Sequence, residues 1–271
     1  MSDGPLDGYT AIVSGGGTGI GAACAQRLAA DGATVVICGR TEQRLVDAAA
    51  AIPGSVHPVV ADVTDEESVR ALVARTLELT GRVDAVVANA GGGGALVPLH
   101  QQETAEFVRV LHLNVLGTFL LLKHTVEALA ASDRGSFVGM SSIAGGLTHR
   151  YFGAYGVGKA GIEMLMRDAA DEYGPSGVRF NAVRPGFTDT ELMSVLPRDS
   201  DVFRSYLDNT PLGGISAAAD VADLVRFLVG PESGRVTGQV IGVDGGHGLR
   251  AGPDFSQYVP PDPLTRPGAP A

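Results

Sequence analysis

Thr10-Ala11-Ile12-Val13-Ser14-Gly15-Gly16-Gly17-Thr18-Gly19-Ile20-Gly21 is the stretch that decides the fold. Its first five residues are apolar at the centre without alternation, as expected of a strand covered on both faces. The next seven residues hold five glycines, and a helical pattern follows over 22–30. Glycines there permit a tight turn, close approach of a pyrophosphate and tight packing of helix on strand, while the helix N-terminus attracts phosphate. A glycine-rich loop says little alone; at a strand-to-helix junction it says much more.

Outward from this junction, short apolar runs alternate with longer helical patterns. Strands are expected at 10–14, 34–38, 56–61, 84–88, 136–141, 178–183 and 239–243. Strands alternating with helices predict an α/β fold: a doubly wound, Rossmann-type parallel sheet of about seven strands in the order 3-2-1-4-5-6-7, with helices on both faces. Pro58 lies in the third strand. Proline cannot donate to a ladder, so it belongs on an edge, where that order puts strand three. Thr64-Asp65-Glu66-Glu67 reads as a capping box, with Thr41 and Ser216 as N-caps of two further helices. No linker interrupts residues 1–250, expected as a single dinucleotide-binding and catalytic domain; residues 251–271 form a proline-rich tail that Phe255 and Tyr258 could anchor.

Composition removes several function classes. A formal charge of −10 with no basic run argues against nucleic acid or anionic membrane as partner. The two cysteines, Cys24 and Cys38, read as reduced core residues, and no metal-ligand spacing is seen among the histidines. His112, His124 and His247 take ordinary polar or core roles on this reading; His149 and Tyr151 could line a substrate site. The N-terminus carries no signal-peptide pattern, and no apolar run approaches the roughly 20 residues that span a bilayer, so a cytoplasmic protein is expected.

The chemistry concentrates at Tyr155-Gly156-Val157-Gly158-Lys159, with Ser142 thirteen residues before the tyrosine. On a helix, Tyr155 and Lys159 share a face one turn apart. An ammonium about 5 Å from a phenol favours the phenolate by roughly 3 kcal/mol, on the order of two pK units, which would bring the tyrosine towards the range of a general acid–base. Lysine is rare here: Lys123 and Lys159 are the only two among 20 basic side chains. Near the tip of the second strand, where an NAD-selective domain carries an acidic residue, stands Arg40. A guanidinium can hold a 2′-phosphate, so NADP(H) is the expected cofactor and NAD(H) the alternative.

With the glycine loop, Ser142, Tyr155 and Lys159 in that order and spacing, the chain from Gly8 to Leu249 resembles the short-chain dehydrogenase/reductase family, in its short single-domain branch. The resemblance implies cofactor contacts from Gly15, Thr18, Gly19, Ile20, Gly21, Asp62, Val63, Asn89, Ala90 and Gly91, and from Pro185, Gly186, Thr188 and Thr190 beside the nicotinamide, with Tyr155 and Lys159 at its ribose. It makes Tyr155 the proton donor or acceptor, Lys159 its activator, Ser142 the substrate hydrogen-bond partner (Ser141 the lesser choice) and Asn114 the holder of a relay water. Two letters depart from the family pattern: Ser14 replaces a threonine, and Ala88 replaces the first asparagine before Asn89-Ala90-Gly91. The substrate implied is a small molecule with a carbonyl or alcohol, and the C-terminal strand implies a homo-oligomer, dimer or tetramer.

Two segments bear on substrate and assembly. Residues 191–214, with Leu192, Met193, Val195, Leu196, Phe203, Tyr206 and Leu207, read as an apolar substrate lid. The helix from about 104 to 131 is apolar nearly all round, so it needs a second partner, either another subunit or a deeper core. Gly91–Gly94 is either a mobile pocket wall or an unpatterned loop.

Overall fold

A computed structural model describes residues 4–193, 196–250, 252 and 255–259, apart from the side chains of Leu192 and Ser256. In chain order its elements are β1 (Thr10–Ser14), α1 (Gly19–Ala30), β2 (Thr34–Gly39), α2 (Glu42–Ala51), β3 (Val56–Val60), α3 (Glu66–Thr80), β4 (Ala85–Ala88), α4 (Thr104–Leu111), α5 (Gly117–Ala131), β5 (Ser136–Met140), α6 (Ala154–Tyr173), β6 (Arg179–Pro185), β7 (Thr188–Asp189), α7 (Asp201–Asp208), β8 (Ser216–Ala217), α8 (Ala218–Val229) and β9 (Val240–Val243). Seven of the strands form one parallel sheet ordered β3-β2-β1-β4-β5-β6-β9; β7 and β8 pair separately. This is the doubly wound order expected from the sequence, with Pro58 on edge strand β3.

Period-2 alternation divides the core into two layers. Ala11 and Val13 of β1 pack with Leu28, Leu45, Val225 and Leu228, from α1, α2 and α8. Ile12, between them, points to the other face, with Leu72, Leu121, Ile162 and Met166 from α3, α5 and α6. Phe137 of β5 stacks on Phe180 of β6 at 5.6 Å in that second layer. The crossing of the strand order between β1 and β4 opens the crevice at the strand C-termini where ligands bind in such sheets.

Helices α4 and α5 are one continuous rod, joined by a π-helical turn over His112–Leu116. Its 28 residues are long and apolar enough, by length and composition, to cross a membrane, whereas the sequence reading expected no such run. Here Leu120, Leu121, Leu122 and Leu129 are buried in the second core layer, and Val108 and Phe119 stay exposed.

Two helix starts differ from expectation. The N-cap of α3 is Asp65, whose carboxylate accepts from Glu67 N; Thr64 instead donates its hydroxyl to Asp62 at 2.8 Å. Thr64 is recruited by the loop above the sheet, so the cap falls one residue later. Likewise α8 is capped at Ala217, whose N–H is held by Asp220 at 2.7 Å, because Ser216 is spent on pairing with Thr188. Thr41 does occupy the N-cap of α2, without a side-chain cap bond.

Candidate active site

The cleft starts where the glycine loop turns. Gly15 and Gly19 adopt positive φ (65° and 53°), a region that only glycine enters without cost. At Gly21 a Cβ would lie 2.2 Å from the Gly15 carbonyl oxygen, so only glycine lets α1 start this close to β1. Ser14, replacing the usual threonine, keeps the hydroxyl function: its Oγ accepts from the backbone N–H groups of Asn89 and Ala90, both at 3.0 Å. Asn89 Nδ2 donates to Ser14 O at 2.9 Å, clamping β4 to the loop. The missing neighbour, Ala88, is simply core.

From here a cleft of about 900 Å³ runs past Gly15, Thr18, Gly19, Ile20, Asn89, Ala90 and Gly91 to Ser142, Tyr155, Lys159, Pro185, Gly186, Thr188 and Thr190. Residues as far apart in sequence as Gly15 and Thr190 are thus brought together along one line, because all the contributing segments follow strand C-termini or open α6. Thr18, N-cap of α1, makes no side-chain cap bond, so the first N–H groups of that helix are not capped by it.

Tyr155 and Lys159 lie one turn apart on α6, with the lysine Nζ 5.5 Å from the centre of the tyrosine ring. Lys159 is 4% exposed and donates to the Met140 carbonyl at 2.8 Å. Burial lowers its pKa to about 8. For Tyr155 the expectation of a lowered pKa is corrected: burial raises it, and the hydrogen bond from Ser142 opposes that rise without reversing it. Desolvation penalises the phenolate, and the lysine ammonium is engaged by Met140 O. The tyrosine therefore rests in its protonated, donating form.

Asn114 is fully buried in the π turn and does not line the cleft. Its Nδ2 donates to Gly92 O and Val110 O, both at 2.8 Å. It stands directly behind Gly91, where a Cβ would meet Asn114 Oδ1 at 2.7 Å and Lys159 Nζ at 3.0 Å. The glycine run is thereby anchored, and Arg109 also donates to Gly93 O at 3.2 Å.

Four other expected cofactor residues sit outside the cleft lining. Gly21 lies beneath the loop. Val63 is buried against Gly117, and Asp62 accepts from Thr64 N at 2.9 Å, the main cause of its lowered pKa. Arg40 is exposed at the end of β2 and acts electrostatically on Asp62. Arg44, one helical turn later, does line the cleft; it packs over Gly17 and pairs with Glu191 at 3.1 Å. The R-x-x-x-R spacing was the signal for it.

Sequence reasoning also missed the network behind the site. Glu163 follows Lys159 by one turn and is 3% exposed. It is held by Arg184 of β6 through two hydrogen bonds and accepts from Ser141 Oγ at 2.7 Å. Both serines line the cleft, but the hydroxyl of Ser141, the lesser candidate, is spent on Glu163, while that of Ser142 accepts from Ala144 N at 3.2 Å.

Comparison with known proteins decides the lineage. A family model described as enoyl-(acyl carrier protein) reductase matches residues 15–248. The chain is 38% identical over 240 residues to cis-4-hydroxycyclohexanecarboxylate dehydrogenase of Sinomonas cyclohexanicum, covering 88% of this chain and 95% of that protein. It is 33% identical to the 3-oxoacyl-(acyl-carrier-protein) reductase FabG of Thermotoga maritima, over 89% of this chain and 98% of the other. The chain belongs to the short-chain dehydrogenase/reductase family. A solved short-chain type dehydrogenase/reductase from Mycobacterium ulcerans superimposes with a TM-score of 0.90 at 40% identity, over 93% of this chain and 94% of that one. Membership makes the protein an oxidoreductase acting on CH–OH and C=O groups with a nicotinamide cofactor. The glycine cradle, the uncapped α1 N-terminus and the length of the cleft fit such a dinucleotide.

Proposed function

We propose that the protein interconverts a secondary alcohol and a ketone on a compact, largely apolar ring, using NADP(H) in preference to NAD(H). The observation that carries this reading is the convergence of Ser142, Tyr155 and Lys159 in one cleft with the glycine loop at its other end. When bound, the nicotinamide accepts or supplies a hydride at its C4. The chain's residues do the rest. Ser142 hydrogen bonds the substrate oxygen and Tyr155, protonated at rest, donates its proton to that oxygen in reduction; in oxidation it first gives that proton up to solvent and then takes the alcohol's proton as the phenolate. Lys159 holds positive charge near the ring of Tyr155 and would hold the ribose of a bound cofactor. Asn114 acts from behind, fixing Gly91–Gly92 and the lysine's surroundings, and its turn is the candidate station for a relay water.

Arg40 and Arg44, one turn apart, support the NADP(H) preference, the second from inside the cleft. The substrate half supports a small ring over a carrier-bound chain. Leu96, Ile143, Phe187 and Leu196 line it, and Phe255 and Tyr258 of the tail close it. Of the expected lid, Met193, Leu196, Phe203, Tyr206 and Leu207 join this apolar cluster; Val195 and most of the tail lie outside the described residues. Val108, Phe119, Val157 and Met164, exposed on α4, α5 and α6, support assembly as a homo-oligomer. The test is turnover of ring alcohols and ketones with each cofactor. Faster reduction with NADPH, lost selectively when Arg40 and Arg44 are replaced by alanine, is expected. Equal loss with NADH would refute the cofactor assignment.

A further inference from the structure

The wall of the cleft away from the glycine loop is a box of rings. His149 lies 5.0 Å from Phe152, which lies 5.8 Å from Tyr155 and 4.8 Å from Phe255. Phe255 meets Tyr206 at 6.2 Å, and Tyr206 packs on Phe187 at 4.5 Å. Every one of these rings lines the cleft.

Two of them carry polar atoms that the protein leaves open. Tyr206 is 4% exposed, yet its hydroxyl has no hydrogen-bond partner among the described residues and is not among the sealed polar atoms, so it opens into the cleft. His149 Nδ1 sits 3.0 Å from the Leu147 carbonyl, which can only accept, so Nδ1 carries the proton and Nε2 presents a lone pair. Burial lowers the His149 pKa, keeping the ring neutral. Tyr206 is near enough to Tyr155 for the two hydroxyls to interact electrostatically. The apolar box thus holds one free donor and one free acceptor, with Tyr155 at its base. The fixed cations lining the cleft, Arg44 and Lys159, belong to the cofactor end.

Resting on hydride transfer at Tyr155, we propose that Tyr206 and His149 recognise a second, neutral oxygen of the substrate. The preferred substrates are then alicyclic rings bearing the reacting alcohol or carbonyl and a hydroxyl elsewhere on the ring. A hydroxyl accepts from Tyr206 and donates to His149. A carboxylate would face the histidine lone pair, and a ring without a second oxygen would leave both groups desolvated and unpaired.

The experiment is kcat/KM for cyclohexanol, 1,4-cyclohexanediol and 4-hydroxycyclohexanecarboxylate in wild type, Tyr206→Phe and His149→Phe. Nicotinamide binding by fluorescence serves as the check that each variant is folded. Wild type should prefer the diol to cyclohexanol by about tenfold or more, and each variant should bring that ratio close to one. No preference in wild type, or an unchanged ratio in Tyr206→Phe, overturns the proposal while leaving hydride transfer standing. Preference for the carboxylate over the diol overturns the role of His149. Turnover of none of the three, with nicotinamide still bound, overturns the ring-alcohol reading and this inference with it.

Discussion

The two ends of the cleft are built by different means. The cofactor end is backbone: glycines at positive φ, helix N–H groups, and two clamps, Asn89 on Ser14 and Asn114 on Gly92. The substrate end is side chain: rings drawn from the loop before α6, from the turn after β6, from α7 and from the tail. Backbone surfaces tolerate almost no change, because a Cβ has nowhere to go. Side-chain surfaces can be re-cut one residue at a time, the arrangement expected where one cofactor must serve many substrates. Variants at the first end should therefore damage every reaction alike, and those at the second should change which substrate is used.

The largest departure is expected where the ends meet. Lys159→Met should lower kcat by about 10²–10⁴-fold for all substrates. The same change should make the fold more stable. A lysine with a pKa near 8 in the folded state and 10.5 unfolded costs stability in full below about pH 8, and the cost fades as pH rises towards 10.5. Relative to the variant, wild type should thus gain about 3 kcal/mol across that window in denaturant titrations. A flat difference would show that the ammonium is not desolvated.

Next is Glu163→Gln. It leaves Arg184 without its charge partner and should cost about 3 kcal/mol of stability, with kcat falling for every substrate because β5, α6 and β6 lose their common tie. A change in substrate preference instead would move Glu163 to the other side of the comparison. Gly21→Ala should weaken nicotinamide binding at least tenfold, since its Cβ collides with Gly15 O; unchanged binding would mean the loop is not the backbone cradle described. Smallest is Phe255→Ala, which should raise KM severalfold for bulky rings and leave nicotinamide affinity alone. Altered nicotinamide affinity would break the division between the two ends.

The same contrast explains what could be read from the sequence. The cofactor end is written in consecutive residues, Ser14 to Gly21, and Tyr155 with Lys159 needs only helical spacing to be seen. The order of strands followed from alternation and from Pro58. The box of rings was read in part, with Tyr206 in the apolar lid, Phe255 as a tail anchor and His149 beside the site; Phe152 and Phe187 become their neighbours only once the sheet has folded, and nothing in their spacing marks them. Glu163 and Arg184 were hidden for a related reason, since a buried ion pair looks like two surface charges until burial is known. The tyrosine's pKa was misjudged because spacing shows the ammonium but not the desolvation that outweighs it. Ser216 and Thr64 missed their caps because each was claimed by a nearer partner.

The most direct test of the central claim is Tyr155→Phe, read twice: nicotinamide affinity by fluorescence and kcat for reduction of a ring ketone. The ring stays and only the hydroxyl leaves, so affinity should stay within about twofold while kcat falls by about 10²–10⁴-fold. Retained turnover, or loss of affinity and turnover together, would contradict Tyr155 as the proton donor where the two ends of the cleft meet.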